Sequence, residues 1–192
     1  FDFRMLDPEH PENGAELARR WPIAKFPLLV DGETTVFETS AIIEHLAAFH
    51  PGQVKLIPED AKAAVPVRML DRVFDSHVMG PMQAIVSDAL RPEEARDPYG
   101  VTQARTALDT IYAWLDQALV GRQWAAGDTF TLADAAAAPA LFYADWAHPI
   151  GGGRSTLKAY RARLLARPSF ARCIDDARPY RPFFPLGAPD RD

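Results

Sequence analysis

One group of side chains with chemical potential lies where a helical pattern begins. Glu38, Thr39 and Ser40 stand directly before the apolar helical face of residues 41–49. The free N–H groups and the dipole of a helix start attract a carboxylate. The same three residues could instead only cap the first turn, and the two roles are compatible. The pattern therefore indicates a helix start that is either capped or able to hold an anion.

Thiol and imidazole groups give weaker signals. The lone thiol, Cys173, adjoins Ile174 in the last helical segment, and this position favours a buried or semi-buried structural cysteine over a nucleophile. One cysteine excludes an internal disulfide and a cysteine-rich metal site, and it favours a reducing compartment. The histidines show no ligand spacing such as two at i, i+4 with a third nearby, so we predict surface or packing roles and no metal. They are His10, His45, His50, His77 and His148.

Composition limits the classes of function. The chain has 192 residues, 48% hydrophobic and 24% charged, which is typical of one or two folded domains. Acidic residues outnumber basic ones by 26 to 21 without any basic block, so we expect no nucleic-acid partner. The longest uncharged apolar stretch, 135–144, is too short to span a bilayer and contains Pro139, so we expect no membrane segment. A cytoplasmic location follows as the expectation.

The first 50 residues alternate between strand and helix patterns. The alternation of Phe1, Phe3 and Met5 with polar residues predicts a strand. A short helix is predicted over 15–21, after the breakers Pro8, Pro11 and Asn13-Gly14. An apolar run over 28–30 and a stretch rich in β-branched residues over 34–37 lie on either side of Asp31-Gly32 and predict a β-hairpin. The helix of residues 41–49 follows.

Helices dominate the remainder of the chain. Residues 51–62 indicate a linker, so we expect domains over 1–50 and 63–192. Helical spacing extends through residues 67–82 with a bend at Gly80-Pro81, and further helices are predicted over 104–119, 132–146, 157–166 and 169–177. Four prolines within 179–189 predict an extended tail. Its aromatic residues either pack on the surface or form a pocket wall: Tyr180, Phe183 and Phe184.

Two pieces of this pattern resemble the glutathione S-transferase family. Lys25-Phe26-Pro27-Leu28-Leu29-Val30-Asp31-Gly32, followed by Phe37-Glu38-Thr39-Ser40-Ala41-Ile42-Ile43, is similar to the second half of its glutathione-binding domain. Thr131-Leu132-Ala133-Asp134 before an alanine-rich helix resembles the capping box of its helical domain. The resemblance is closest to bacterial cytosolic members. It implies an α/β plus all-α fold, with a partial thioredoxin-like N-terminal domain and an all-helical C-terminal domain.

The resemblance also implies a set of glutathione contacts. Pro27 would be cis and turn the main chain of Phe26 toward the cysteinyl amide of glutathione, although a trans proline opening an edge strand is the alternative. Thr39 would bind the γ-glutamyl carboxylate, and Glu38 would help to position the ammonium group. Lys25 would reach the glycyl carboxylate or remain a solvated surface lysine.

The catalytic residue cannot be assigned from this sequence. In the family, a Tyr, Ser or Cys near the first strand and helix stabilises the glutathione thiolate. The present sequence resembles the family from the second strand onward, and a thioredoxin-like sheet without its first strand would expose unpaired edges. We therefore expect additional residues before Phe1.

The acceptor substrate is expected between the two domains. Six residues are candidates for the pocket, although their helical spacing favours ordinary core packing: Phe74, Val78, Met79, Met82, Tyr143 and Trp146. The implied activity is conjugation of the glutathione thiolate to a hydrophobic electrophilic small molecule, with glutathione as co-substrate, no metal, and a homodimeric state. Two alternatives remain open: a non-catalytic glutathione-binding or regulatory protein, and a glutathione-dependent isomerase, reductase or dehalogenase.

Overall fold

The computed structural model describes all 192 residues and divides into two compact units, Phe1–Leu56 and Ile57–Asp192. The first is an α/β unit and the second is helical, which confirms the predicted fold class. The elements of the first unit are α1 (Pro11–Arg20), β1 (Leu28–Asp31), β2 (Thr34–Phe37) and α2 (Thr39–Phe49).

The predicted hairpin is confirmed, and its register is well defined. β1 and β2 pair antiparallel from Leu28 opposite Phe37 to Asp31 opposite Thr34. Two residues, Gly32 and Glu33, therefore make the turn, and Gly32 has a φ of +58°. Glycine at the first position of such a turn adopts positive φ without a Cβ clash. Helix α2 packs against both strands.

Two predictions in the first unit need correction. The strand predicted over residues 1–5 is wrong, because the only sheet has β1 and β2 and the side chains at 1–5 are exposed. An alternation of apolar and polar residues forms a strand only where a neighbouring strand supplies hydrogen bonds. Helix α1 begins at Pro11, earlier than predicted. Proline is favoured in the first helical turn, where its missing N–H has no partner to lose.

The second unit is a set of packed helices. Its helices are α3 (Ala61–Val73), a π-helical segment (Phe74–Met79), α4 (Gly80–Ala89), α5 (Pro98–Ala118), α6 (Leu132–Ala147), α7 (Ser155–Ala166) and α8 (Pro168–Ala177), with short 3₁₀ turns at Glu93–Ala95 and Arg178–Phe183. The sequence predicts a bend at Gly80-Pro81. The departure from regular α-helix lies just before this pair, in the π-helical segment. None of the helices combines the length and apolarity needed to cross a membrane.

Two predictions in the second unit are also wrong. The tail is a 3₁₀ helix over Arg178–Phe183 rather than extended. A proline near the start of such a turn lacks only an N–H that would be unpaired there anyway. Cys173 is exposed, because its neighbour Ile174 takes the buried side of α8 and adjacent helical residues point about 100° apart.

The predicted capping box is confirmed and extends into the core. Asp134 is completely buried, and its carboxylate accepts hydrogen bonds from the N–H and hydroxyl of Thr131 at 2.9 and 3.1 Å. It also accepts from the Ala125 N–H and the Tyr160 hydroxyl, both at 2.7 Å. Burial, and then the adjacent carboxylate, raise the pKa of Tyr160, so its phenol remains a donor. This carboxylate joins the loop before α6 to α7.

Replacing Asp134 with alanine is expected to lower the free energy of unfolding by about 3 kcal/mol, because buried donors lose their acceptor. Urea unfolding of the full chain measures the change. The matched control is Asp128→Ala, which removes an exposed carboxylate from the same loop. Similar losses in the two variants would contradict the structural role of Asp134.

Candidate functional site

The open end of the hairpin brings together the predicted residues of the first unit. Leu28 opposite Phe37 is the last strand pair, so Pro27 and Glu38 are the next residues outward on the two chains. The Phe26–Pro27 peptide bond is cis, as the resemblance implied. Phe26 is 74% exposed, and its N–H and C=O make no hydrogen bond to other main-chain groups. These groups are available to an extended peptide, as at a strand edge.

Glu38 joins β2 to α2 in an unusual conformation. Its φ is +68° and its ψ is +118°, outside the regions that side-chain-bearing residues ordinarily occupy. Such a conformation costs on the order of 1–3 kcal/mol and is concentrated at functional sites. The carboxylate is exposed and makes no capping hydrogen bond, while the Glu38 carbonyl accepts from Ile42 at 2.9 Å. The side chain therefore remains available to a ligand.

Thr39 is the first residue of α2 and is exposed. Its hydroxyl makes no hydrogen bond within the protein, and its N–H belongs to the first turn, where helical partners are lacking. The helix dipole adds positive potential at this position. Thr39 can thus donate both an N–H and an O–H to one anion.

Residues at the end of α1 contact β2 and support the open end of the hairpin. Trp21, which follows α1, stacks on Phe37 with ring centroids 4.1 Å apart and planes 9° apart. Arg20 donates to the Thr35 hydroxyl at 2.9 Å. These contacts hold the β2 end that leads into Glu38. Lys25 is exposed and makes no ion pair in the structure, so its ammonium group is free to meet an anion.

Most of the predicted acceptor-pocket residues pack inside the helical unit. Phe74 and Val78 are completely buried, and Met82 is 6% exposed. Phe74 lies 6.4 Å from Tyr160, measured between ring centroids. Met79 is half-buried at the end of the π-helical segment. These residues pack within the helical unit, and their contact with an acceptor substrate stays a prediction.

Tyr143 lines a cavity of about 220 Å³ in the helical unit. Aromatic side chains from α6 and from the tail form most of the wall: Phe142, Trp146, Tyr180, Phe183 and Phe184. Tyr143 lies edge-on to Trp146, with ring centroids 5.7 Å apart. The buried indole Nε1 of Trp146 has no hydrogen-bond partner. The aromatic wall of the cavity therefore suits a flat apolar molecule.

A second cavity of about 440 Å³ was not predicted from the sequence. It is lined in part by Asp145, Lys158, Arg161 and Arg191. Burial lowers the pKa of Arg161, while the neighbouring Asp145 opposes this shift. The charged residues come from α6, α7 and the tail, so no local pattern could have connected them.

Three potential metal ligands at the other end of the hairpin were also missed. Asp31 Oδ2 lies 2.8 Å from His45 Nε2 and 2.7 Å from His50 Nε2. The ligand atoms of all three residues lie within 4.8 Å of one another. Hydrogen bonds from His45 and then from His50 lower the pKa of Asp31. The histidines are 14 and 19 residues from Asp31, a separation that a search for adjacent ligands overlooks.

Family profiles match parts of both units of the chain. The family profile "Glutathione S-transferase, N-terminal domain" matches residues 1–48, and "Glutathione S-transferase, C-terminal domain" matches residues 92–171. Glutathione S-transferase 3 of Zea mays is 32% identical over 165 residues, covering 80% of this chain and 72% of that protein.

Solved structures show the same likeness. A glutathione S-transferase from Methylobacillus flagellatus KT with glutathione bound is 26% identical with a TM-score of 0.75, covering 89% of this chain and 86% of that one. A glutathione S-transferase domain-containing protein from Marinobacter aquaeolei VT8 is 28% identical with a TM-score of 0.72, covering 82% and 80%. Sequence likeness in both units and a shared fold lead to one conclusion: this chain belongs to the glutathione S-transferase family.

Proposed function

We propose that the protein is an enzyme that binds glutathione at the open end of the hairpin and transfers its thiolate to an electrophilic small molecule. Family membership supports glutathione transferase activity in general. The observation that carries the proposal is the exposed start of α2, where Thr39 offers unpaired donors beside the unusual backbone of Glu38.

The γ-glutamyl end of glutathione matches the charges at this helix start. Its carboxylate accepts from the Thr39 hydroxyl and N–H, where the helix dipole favours negative charge. Its ammonium group faces the Glu38 carboxylate. A zwitterionic amino-acid head therefore meets one complementary partner for each charge, and the opposite arrangement would place like charges together.

The remainder of the tripeptide follows the main chain. The cysteinyl amide pairs with the N–H and C=O of Phe26, which have no main-chain partner in the protein. Pro27 fixes the direction in which these groups point. Lys25 offers its ammonium group to the glycyl carboxylate. These contacts bind and orient the peptide.

The acceptor is proposed to be a hydrophobic electrophile. The glutathione sulfur forms a bond to the electrophilic carbon, and the leaving group departs with the bonding electron pair. Of the predicted acceptor residues, Tyr143 has the clearest support because it lines an aromatic cavity. The proposal also includes contacts between the acceptor and Phe74, Met79 and Met82. The proposal also includes a homodimeric state and a detoxifying role. It includes a cytoplasmic location as well, because a reducing compartment keeps glutathione as the thiol.

Thr39→Ala is expected to weaken glutathione binding about 10-fold or more, because a hydroxyl bond to a charged group is worth roughly 1.5–3 kcal/mol. Isothermal titration calorimetry with glutathione measures the dissociation constant. Thr34→Ala is the matched control, since Thr34 is exposed on the same hairpin at its turn end. Equal affinities in the two variants would reject the role of Thr39.

A conjugation assay with chlorodinitrobenzene and a panel of other electrophiles separates the enzyme from the non-catalytic alternative. Turnover that saturates with glutathione and falls in Thr39→Ala supports transferase activity. Tight glutathione binding without turnover of any acceptor would instead favour a binding or regulatory protein.

Glu38→Gly is expected to raise the free energy of unfolding by about 1 kcal/mol, because glycine tolerates positive φ. The same change should weaken glutathione binding, since the carboxylate opposite the ammonium group is lost. Urea unfolding and calorimetry measure the two effects. The control is Glu33→Gly, at a turn position without positive φ, where we expect a small loss of stability and unchanged binding. Loss of stability in Glu38→Gly would contradict the proposed strain.

Tyr143→Ala is expected to raise the KM for an aromatic acceptor about 10-fold, the equivalent of one aromatic contact of roughly 1.5 kcal/mol. Glutathione affinity should not change. Steady-state kinetics with varied acceptor measure the effect, and Tyr99→Ala, which removes an exposed tyrosine, is the control. An unchanged acceptor KM would exclude this cavity as the acceptor site.

A further inference from the structure

We propose that Asp31, His45 and His50 form a zinc site that joins the C-terminal end of α2 to the hairpin turn. The site uses one carboxylate oxygen and two imidazole Nε2 atoms, and water completes the coordination. It does not depend on the proposed transferase function, because none of its ligands belongs to the glutathione contacts.

The three ligand atoms already converge. Both Nε2 atoms approach the same oxygen of Asp31, at 2.8 and 2.7 Å. In a tetrahedral zinc site with bonds of about 2.0–2.1 Å, neighbouring ligand atoms lie about 3.3 Å apart. An outward shift of about half an ångström per contact would therefore admit the ion. Side-chain rotation supplies such a shift without moving the backbone.

The ligand types favour zinc over calcium or magnesium. Imidazole nitrogen suits zinc and the other late transition metals, while calcium and magnesium take oxygen ligands. Three protein ligands plus water is a coordination that zinc commonly adopts. Each neutral imidazole binds through Nε2 after its proton moves to Nδ1, so the two hydrogen bonds to Asp31 are exchanged for bonds to the metal.

Two of the ligands are held in place before the ion arrives. Asp31 ends β1 opposite Thr34 and directly precedes the Gly32 turn. The His45 side chain is 12% exposed and packs against the Phe49 ring, with ring centroids 4.7 Å apart. Pre-positioned ligands reduce the ordering cost of metal binding.

His50, the third ligand, leaves the site open to an entering ion. The His50 side chain is 54% exposed and follows the last residue of α2. It is the most exposed of the three ligands and can therefore move furthest to meet the ion. The Asp31 side chain is 36% exposed, so solvent can supply the remaining ligand. The cluster is therefore open on one side and supported on the other.

The zinc site and the proposed glutathione site lie at opposite ends of the same helix. Helix α2 has 11 residues and is about 16 Å long. Thr39 begins it at the open end of the hairpin, whereas His45 and His50 lie toward the turn. Zinc binding should therefore stabilise the folded state by linkage without competing with glutathione for ligands.

Titration calorimetry of the full chain with zinc chloride, without glutathione, tests the proposal. We expect one site in the unsubstituted protein. His50→Ala and Asp31→Asn should each weaken zinc binding by at least about 10–100-fold. That is the loss typical for a residue that only hydrogen-bonds to a ligand, and each variant here loses a ligand itself. The exposed His77 gives a matched control, and His77→Ala should bind zinc normally.

Cobalt(II) absorption gives a second readout, because visible d–d bands should appear on binding and disappear in the two ligand variants. Circular dichroism checks that both variants fold, and their glutathione affinity should not change. The proposal is overturned if the unsubstituted protein binds no zinc, if His50→Ala and Asp31→Asn bind as tightly as it does, or if His77→Ala loses as much affinity. None of these outcomes would affect the assignment of Thr39.

Discussion

Antiparallel pairing of β1 with β2 is the constraint on which the first unit depends. The register places Pro27 and Glu38 at one end of the hairpin and Asp31 at the other. The positive φ of Glu38 directs the chain from β2 into α2, which returns over both strands. One register therefore creates two chemically different ends: free donors at the start of α2, and a carboxylate between two imidazoles toward its end.

The helical unit depends in a similar way on one buried carboxylate. Asp134 accepts from donors in the preceding loop, at the start of α6 and on α7. A buried carboxylate is tolerated when its oxygens are satisfied in this manner. Because Asp134 fixes the start of α6, it also helps to position Tyr143 and Trp146, which lie further along that helix and line the aromatic cavity.

The proposed glutathione site depends largely on main-chain groups, so it tolerates changes of side chain. The proposed peptide contacts use the N–H and C=O of Phe26 and the helix start at Thr39, and these groups are present whatever the side chain. A solved relative with glutathione bound shares the fold at 26% identity. The side chains that must be particular are few: a proline that turns the chain, and polar groups that match the charged head.

The sequence alone determined the local elements: the hairpin, the helix after it, the capping box and the principal helices, because turn chemistry and periodicity act within a few residues. It failed where the outcome depends on neighbours. Alternation over residues 1–5 gives no strand without a pairing partner, and Cys173 is exposed because packing selects the face of α8. Only the tertiary structure brought Asp31, His45 and His50 together. Their proximity arises from the way a helix end packs on a hairpin turn, and no local pattern records that orientation.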